Sequence, residues 1–101
     1  MNCSSLTILN INNFNTNNVT NMSFMFSECS SLKELNLNNF NTNNTKHILS
    51  MFYECSSLKE LNLTNFNTNK VKDMRYMFSG CSDDLKRKIK SENKNIKDEA
   101  F

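Results

Sequence analysis

Apolar residues along this chain keep a fixed phase. Leu6, Leu32 and Leu58 recur at an interval of 26 residues, as do Leu9, Leu35 and Leu61, then Ile11, Leu37 and Leu63, then Phe14, Phe40 and Phe66. Later in each unit come Met22, Ile48 and Met74, followed by Met25-Phe26, Met51-Phe52 and Met77-Phe78. Cys3, Cys29, Cys55 and Cys81 mark the same interval. Self-similarity at a period of 26 residues is the signature of a repeat architecture, in which one unit cannot bury its apolar side alone and neighbours stack to do so. The units are residues 3–28, 29–54 and 55–80, within a repeat region spanning 1–81.

Each unit predicts two elements. The stretch Leu32 to Phe40 reads Leu-x-x-Leu-x-Leu-x-x-Phe, and its Leu35-Asn36-Leu37-Asn38 centre alternates apolar with polar, the period of a half-buried strand. Val19, Met22, Met25, Phe26 and Cys29 follow at spacings of three or four, which predict one face of a short helix. Between the elements stand Asn15-Thr16-Asn17-Asn18, Asn41-Thr42-Asn43-Asn44 and Asn67-Thr68-Asn69-Lys70, residues suited to satisfying turn amides and capping a helix. The expected fold is therefore α/β: a right-handed leucine-rich-repeat-type solenoid, with a parallel sheet on one face and short helices on the other. The hand follows from the crossover rule for parallel strands, and rungs about 4.8 Å apart would form internal ladders.

The two ends differ. Met1-Asn2-Cys3 enters a repeat directly, so the first unit is expected to expose Leu6, Leu9, Ile11 and Phe14 at an assembly edge. Beyond Cys81 the pattern changes to Ser82-Asp83-Asp84-Leu85, an acidic helix start, and Leu85, Ile89, Ile96 and Ala100 continue as an apolar stripe. Residues 82–101 are expected to form an amphipathic C-terminal capping helix; a basic helix that docks on a partner is the alternative.

Composition narrows the function. Charged residues make up 22% with a net charge of +2, and the charges are scattered, so nothing predicts attraction to nucleic acid. No run is apolar for long enough to insert in a membrane, and no signal peptide or lipidation motif opens or closes the sequence. A complete chain would be expected in the cytoplasm, and a fragment of a longer protein at the cell surface or outside the cell.

Candidate chemistry is sparse. The cysteines lack the close pairs of zinc sites. Neighbouring rungs would bring their Cα atoms within reach of a disulfide, yet side chains pointing the same way into the core favour a ladder of buried free thiols. His47 has Asn21 and Asp73 as its equivalents, so it reads as a variable surface position. Glu28 and Glu54 share a phase, as do Glu34 and Glu60. Such pairs could hold calcium or act as acid and base, but repetition explains them more simply. No metal, no cofactor and no catalytic residue is predicted, and no phosphate loop or nucleophile elbow is present.

The segments MFSECSSLKELNLNNFNTNN and MFYECSSLKELNLTNFNTNKVKDMRYMF resemble the BspA-like leucine-rich repeat proteins, a 26-residue bacterial surface-protein repeat also found in mycoplasmas and some protists. The similarity covers residues 3–81. Thr45 departs from the Val of the other units, and Lys46-His47-Ile48 departs from the polar-polar-Met segment. The resemblance implies a solenoid, often on cell surfaces, with roles in adhesion or partner binding.

The expected ligand surface is the outward side of the sheet. It would carry Ile8, Asn10 and Asn12, then Glu34, Asn36 and Asn38, then Glu60, Asn62 and Thr64. Amides and carboxylates on a rigid sheet suit a protein or a glycan, although the face lacks the aromatic or Arg anchors of most hot spots. The leading expectation is a non-catalytic binding module working through Glu34, Asn36, Asn38, Glu60, Asn62 and Thr64. The alternative is a structural end piece that self-associates or stacks on further repeats through its first coil.

Overall fold

A computed structural model describes residues 16–37, 40–63 and 65–101, together with the backbone of 8–9. Strands β1 (Ile8–Leu9), β2 (Glu34–Asn36) and β3 (Glu60–Asn62) form one parallel sheet in that order. Ile8 lies opposite Glu34 and Leu9 opposite Leu35; Glu34, Leu35 and Asn36 lie opposite Glu60, Leu61 and Asn62. Every partner is thus one sequence period away. Alternation does the rest: Leu35 and Leu61 are buried, while the residues on either side of each are exposed.

The Asn-Thr turns stack too. Thr16 and Thr42 are buried, and their hydroxyls take the Asn41 and Asn67 amides of the next unit at 2.8 and 2.7 Å. Asn41 and Asn67 close local turns by accepting from the Asn43 and Asn69 amides, each at 2.9 Å. Their own side-chain amides reach back to Asn17 and Asn43 at 3.1 and 3.0 Å. The asparagine bias therefore has a structural use: each amide serves its own turn and the neighbouring one. Thr45, the departure from valine, is buried and satisfied, its hydroxyl donating to the Val19 carbonyl at 3.2 Å.

The short helices expected opposite the sheet are not what the described residues adopt. Residues 22–29 form a chain of tight turns. The amides of Met25, Ser27 and Cys29 bond three residues back, to Met22, Phe24 and Phe26. The alternate amides of Met22, Phe24, Phe26 and Glu28 leave the unit and bond to His47, Leu49, Met51 and Tyr53 of the next. Ile48, Ser50, Phe52 and Glu54 repeat this with Asp73, Arg75, Met77 and Ser79. A helix would bond every amide beyond its first turn internally, four residues back. The apolar spacing of three or four that suggested a helix is met equally well by successive turns.

Two columns of left-handed residues allow this path. Phe24, Ser50 and Tyr76 have φ of 63, 54 and 59°, and Glu28, Glu54 and Gly80 have φ of 63, 60 and 84°. Only the last is glycine, the residue that takes this conformation without strain.

Inside, Phe26, Phe52 and Phe78 stack with centroids 5.8 and 5.4 Å apart, and Phe101 adds a fourth ring 5.4 Å from Phe78. Met22, Met51, Met77 and the leucines fill the space around this column.

The cap is a composite and not one helix to the end. α1 (Asp83–Glu92) starts on Ser82, whose hydroxyl accepts from the Leu85 amide, with Asp83 and Asp84 in its first turn. Leu85 and Ile89 are buried beneath it. Asn93 ends it by donating to the Ile89 carbonyl. Ile96 and Ala100 are buried as the stripe predicted, but they arrive from a turn and from a 3-10 segment, Asp98–Ala100.

Candidate binding surface

The parallel register of β2 and β3 sets Glu34 beside Glu60 and Asn36 beside Asn62, all exposed on one side of the sheet. Lys33 and Lys59 precede them and are exposed as well. Sequence reasoning missed one contributor. Lys88, on α1, brings its ammonium to 3.9 Å from the Glu60 carboxylate, so the cap extends the polar array across the sheet end. The cue was present in the basic face of the capping segment, but only the docking of Leu85 and Ile89 reveals which lysine faces Glu60. An exposed pair of this kind contributes little to stability.

Asn38, Thr64, Asn10 and Asn12 lie outside the described residues, and so does the side chain of Ile8. The same holds for the expected assembly edge: Leu6, Ile11 and Phe14 lie outside them, and Leu9 is described only by its backbone in β1.

On the turn side, Phe24 and Tyr76 are exposed and share one left-handed column with buried Ser50. Asn21, His47 and Asp73 form a second parallel bridge row. His47 is exposed, as its variable phase suggested, though on a bridge and not a helix. Arg75 grips both oxygens of Asp73, each at 3.0 Å, which holds that carboxylate down at about 2.

Three of the cysteines are among the described residues. Cys55 and Cys81 are free and buried, their thiols donating to the Phe26 and Phe52 carbonyls at 3.0 and 3.2 Å. Cys29 is disulfide-bonded, to a partner outside the described residues. The expected ladder of free thiols is corrected at that rung: stacking distance alone is compatible with a disulfide, and the shared direction of the side chains does not prevent one. Among the described residues no cluster of His, Cys, Asp and Glu could hold a metal ion.

Burial pushes the Cys55 thiol up to about 11 and the Cys81 thiol up to about 12. Neither is poised as a nucleophile, which needs the thiolate. The shift also carries a stability consequence. The folded state favours the neutral thiols, so their contribution is intact below about pH 9 and is lost as pH rises toward the folded values. Raising pH from about 8 to about 10.5 should cost roughly 2 kcal/mol per thiol. Urea titrations of the parent and of a Cys55→Ala/Cys81→Ala variant at both pH values would check this. The variant should lose distinctly less stability over the interval, and equal losses would refute the assignment.

The described residues contain no helix long and apolar enough to cross a membrane. The family described as Mycoplasma protein of unknown function, DUF285, matches the chain over residues 1–98. No curated protein and no solved structure matches it.

Proposed function

The chain belongs to the Mycoplasma family of unknown function DUF285, and from that premise we propose that it is a non-catalytic binding module. In this reading it is a right-handed solenoid of the BspA-like, leucine-rich type. It recognises a protein or a glycan through its sheet face, in the manner of a surface or adhesion protein. One observation carries the proposal: Glu34 and Asn36 stand in register with Glu60 and Asn62, exposed on strands whose inward residues Leu35 and Leu61 are buried in the core. Two carboxylates and two amides spaced by strand separation present repeated hydrogen-bond acceptors and donors to hydroxyl or peptide groups. The thiols of Cys55 and Cys81 are unreactive by burial.

The test is an array of glycans and of extended peptides probed with the parent and with a Glu34→Ala/Asn36→Ala/Glu60→Ala/Asn62→Ala variant. All four side chains are exposed, so the variant should keep the parent's circular dichroism and lose at least ten-fold in affinity for whatever the parent binds. Undiminished binding by a folded variant sinks the reading.

A second reading, a structural end piece that stacks on further repeats, is favoured by a different observation. The carbonyls of Asn21, Ser23, Met25 and Ser27, equivalents of the acceptors at His47, Leu49, Met51 and Tyr53, receive no backbone hydrogen bond among the described residues.

A further inference from the structure

Phe24 and Tyr76 are the large hydrophobic side chains left exposed among the described residues, at 50 and 55%. Neither belongs to the core cluster. Both stand at left-handed φ, 63 and 59°, where a bulky side chain costs conformational energy that asparagine or glycine would not. Stability therefore gives no reason for an aromatic residue at either position. They are two periods apart in one column, with Ser50 between them. The Phe24 amide donates to the Leu49 carbonyl and the Ser50 amide to the Arg75 carbonyl, each at 2.9 Å, so the three residues occupy adjacent, hydrogen-bonded rungs. At a rung spacing of about 4.8 Å, the two aromatic residues lie roughly 9.6 Å apart along the stack.

The residue between them is small and polar. Ser50 is 6% exposed. Its hydroxyl makes no hydrogen bond among the described residues and keeps a path to solvent. A recessed hydroxyl of this kind, set between two half-exposed rings, is a seat for a hydroxyl of a ligand. The next left-handed column, four residues on, carries exposed Glu28 and Glu54. Carboxylates accept from hydroxyls, and they repel a phosphate backbone. An apolar peptide side chain is poorly served as well, because between the rings it would meet a hydroxyl and not an apolar pocket.

We propose that the column of Phe24, Ser50 and Tyr76 is a second binding site, for an uncharged linear glycan of the cellulose or chitin type laid along the stacking axis. In such a chain each sugar ring is turned over relative to the last. Every second ring therefore shows the same C–H face to the same side, at a repeat close to two rungs of this stack. One sugar stacks on Phe24 and the next but one on Tyr76, polarised C–H groups meeting the negative faces of the rings. The inverted sugar between them brings a hydroxyl to Ser50, and hydroxyls along the edge of the glycan donate to Glu28 and Glu54. The site lies on the turn segments and not on β2 and β3, so it is independent of the sheet-face reading.

The experiment titrates the full chain, labelled with nitrogen-15, with cellohexaose and with chitohexaose. At least one of them should shift the amide signals of Phe24, Ser50 and Tyr76 to saturation and leave those of Glu34–Asn36 and Glu60–Asn62 in place. The matching disaccharide, too short to reach both rings, should bind at least ten-fold more weakly. Phe24→Ala and Tyr76→Ala should each lose at least ten-fold in affinity for the hexaose with circular dichroism unchanged, while Tyr76→Phe binds as the parent does. The mapping and the disaccharide comparison use the parent chain, so they stand even where a variant fails to fold. No saturable shift at the column with either hexaose overturns the proposal, and so does equal affinity for the disaccharide. A column that answers only to a proline-rich peptide overturns it in favour of a protein partner. Shifts confined to β2 and β3 overturn it while supporting the sheet-face reading, so the two fail separately.

Discussion

Replacing Phe52 by alanine should destabilise the protein by about 3–5 kcal/mol, the usual cost of deleting a buried aromatic ring. The ring is fully buried, 5.8 Å from Phe26 and 5.4 Å from Phe78, and nearly parallel to both. Neighbours above and below are held by backbone bonds between units, so they cannot collapse into the space without breaking register. A chain of this size has a total stability of roughly 5–15 kcal/mol, so the variant should be unfolded at far lower urea than the parent. Phe24 provides the control. It is half exposed, and Phe24→Ala should change stability by less than about 1 kcal/mol. Similar urea midpoints for the two variants would mean that the ring column is not the centre of the core.

The second large effect concerns the left-handed column of Glu28, Glu54 and Gly80. Gly80→Val should cost about 2–3 kcal/mol, because a β-branched residue is strained at φ of 84°. The new Cβ would also sit 2.6 Å from the Glu54 carboxyl carbon, although that side chain can swing aside. Glu28→Gly in the same column should act the other way, stabilising by up to about 1 kcal/mol as left-handed strain is removed and partly offset by the entropy of glycine in the unfolded chain. Thermal and urea unfolding of both variants checks the pair. Destabilisation by Glu28→Gly as large as that by Gly80→Val would show that the column is not left-handed.

Much of this arrangement was legible in the sequence because repetition is a strong constraint. The phase of Leu35 and Leu61 predicted which side of the strands is buried, and Glu34, Asn36, Glu60 and Asn62 fall on the exposed side accordingly. Ser82-Asp83-Asp84 marked the start of α1, and Leu85 and Ile89 its buried side. The turn ladder was not legible. Val19, Met22, Met25, Phe26 and Cys29 fit a helix and a chain of turns equally well, and the backbone choice lies in amides that bond to the next unit. Glutamate at a left-handed position gives no warning; Gly80 was the single residue that could have, since its column-mates are Glu28 and Glu54. The tail misled for a similar reason. Ile96 and Ala100 fit a helical stripe by spacing, yet Asn93 ends α1, and the Tyr76 and Phe78 amides hold the tail by donating to the Glu99 and Ala100 carbonyls. Lys88 entered the candidate surface only once α1 had been docked.

The sequence period is a structural register, in which alternate amides of each turn segment bond to the segment one period on. Nuclear Overhauser contacts across the turn segments test it most directly. Contacts are expected between the rings of Phe26 and Phe52 and of Phe52 and Phe78, and between the Phe26 amide and residues Met51–Phe52, with the slow-exchanging amides falling on Phe24, Phe26, Ser50 and Phe52. An unbroken series of helical contacts from Met22 to Cys29, with none between residues one period apart, would contradict it.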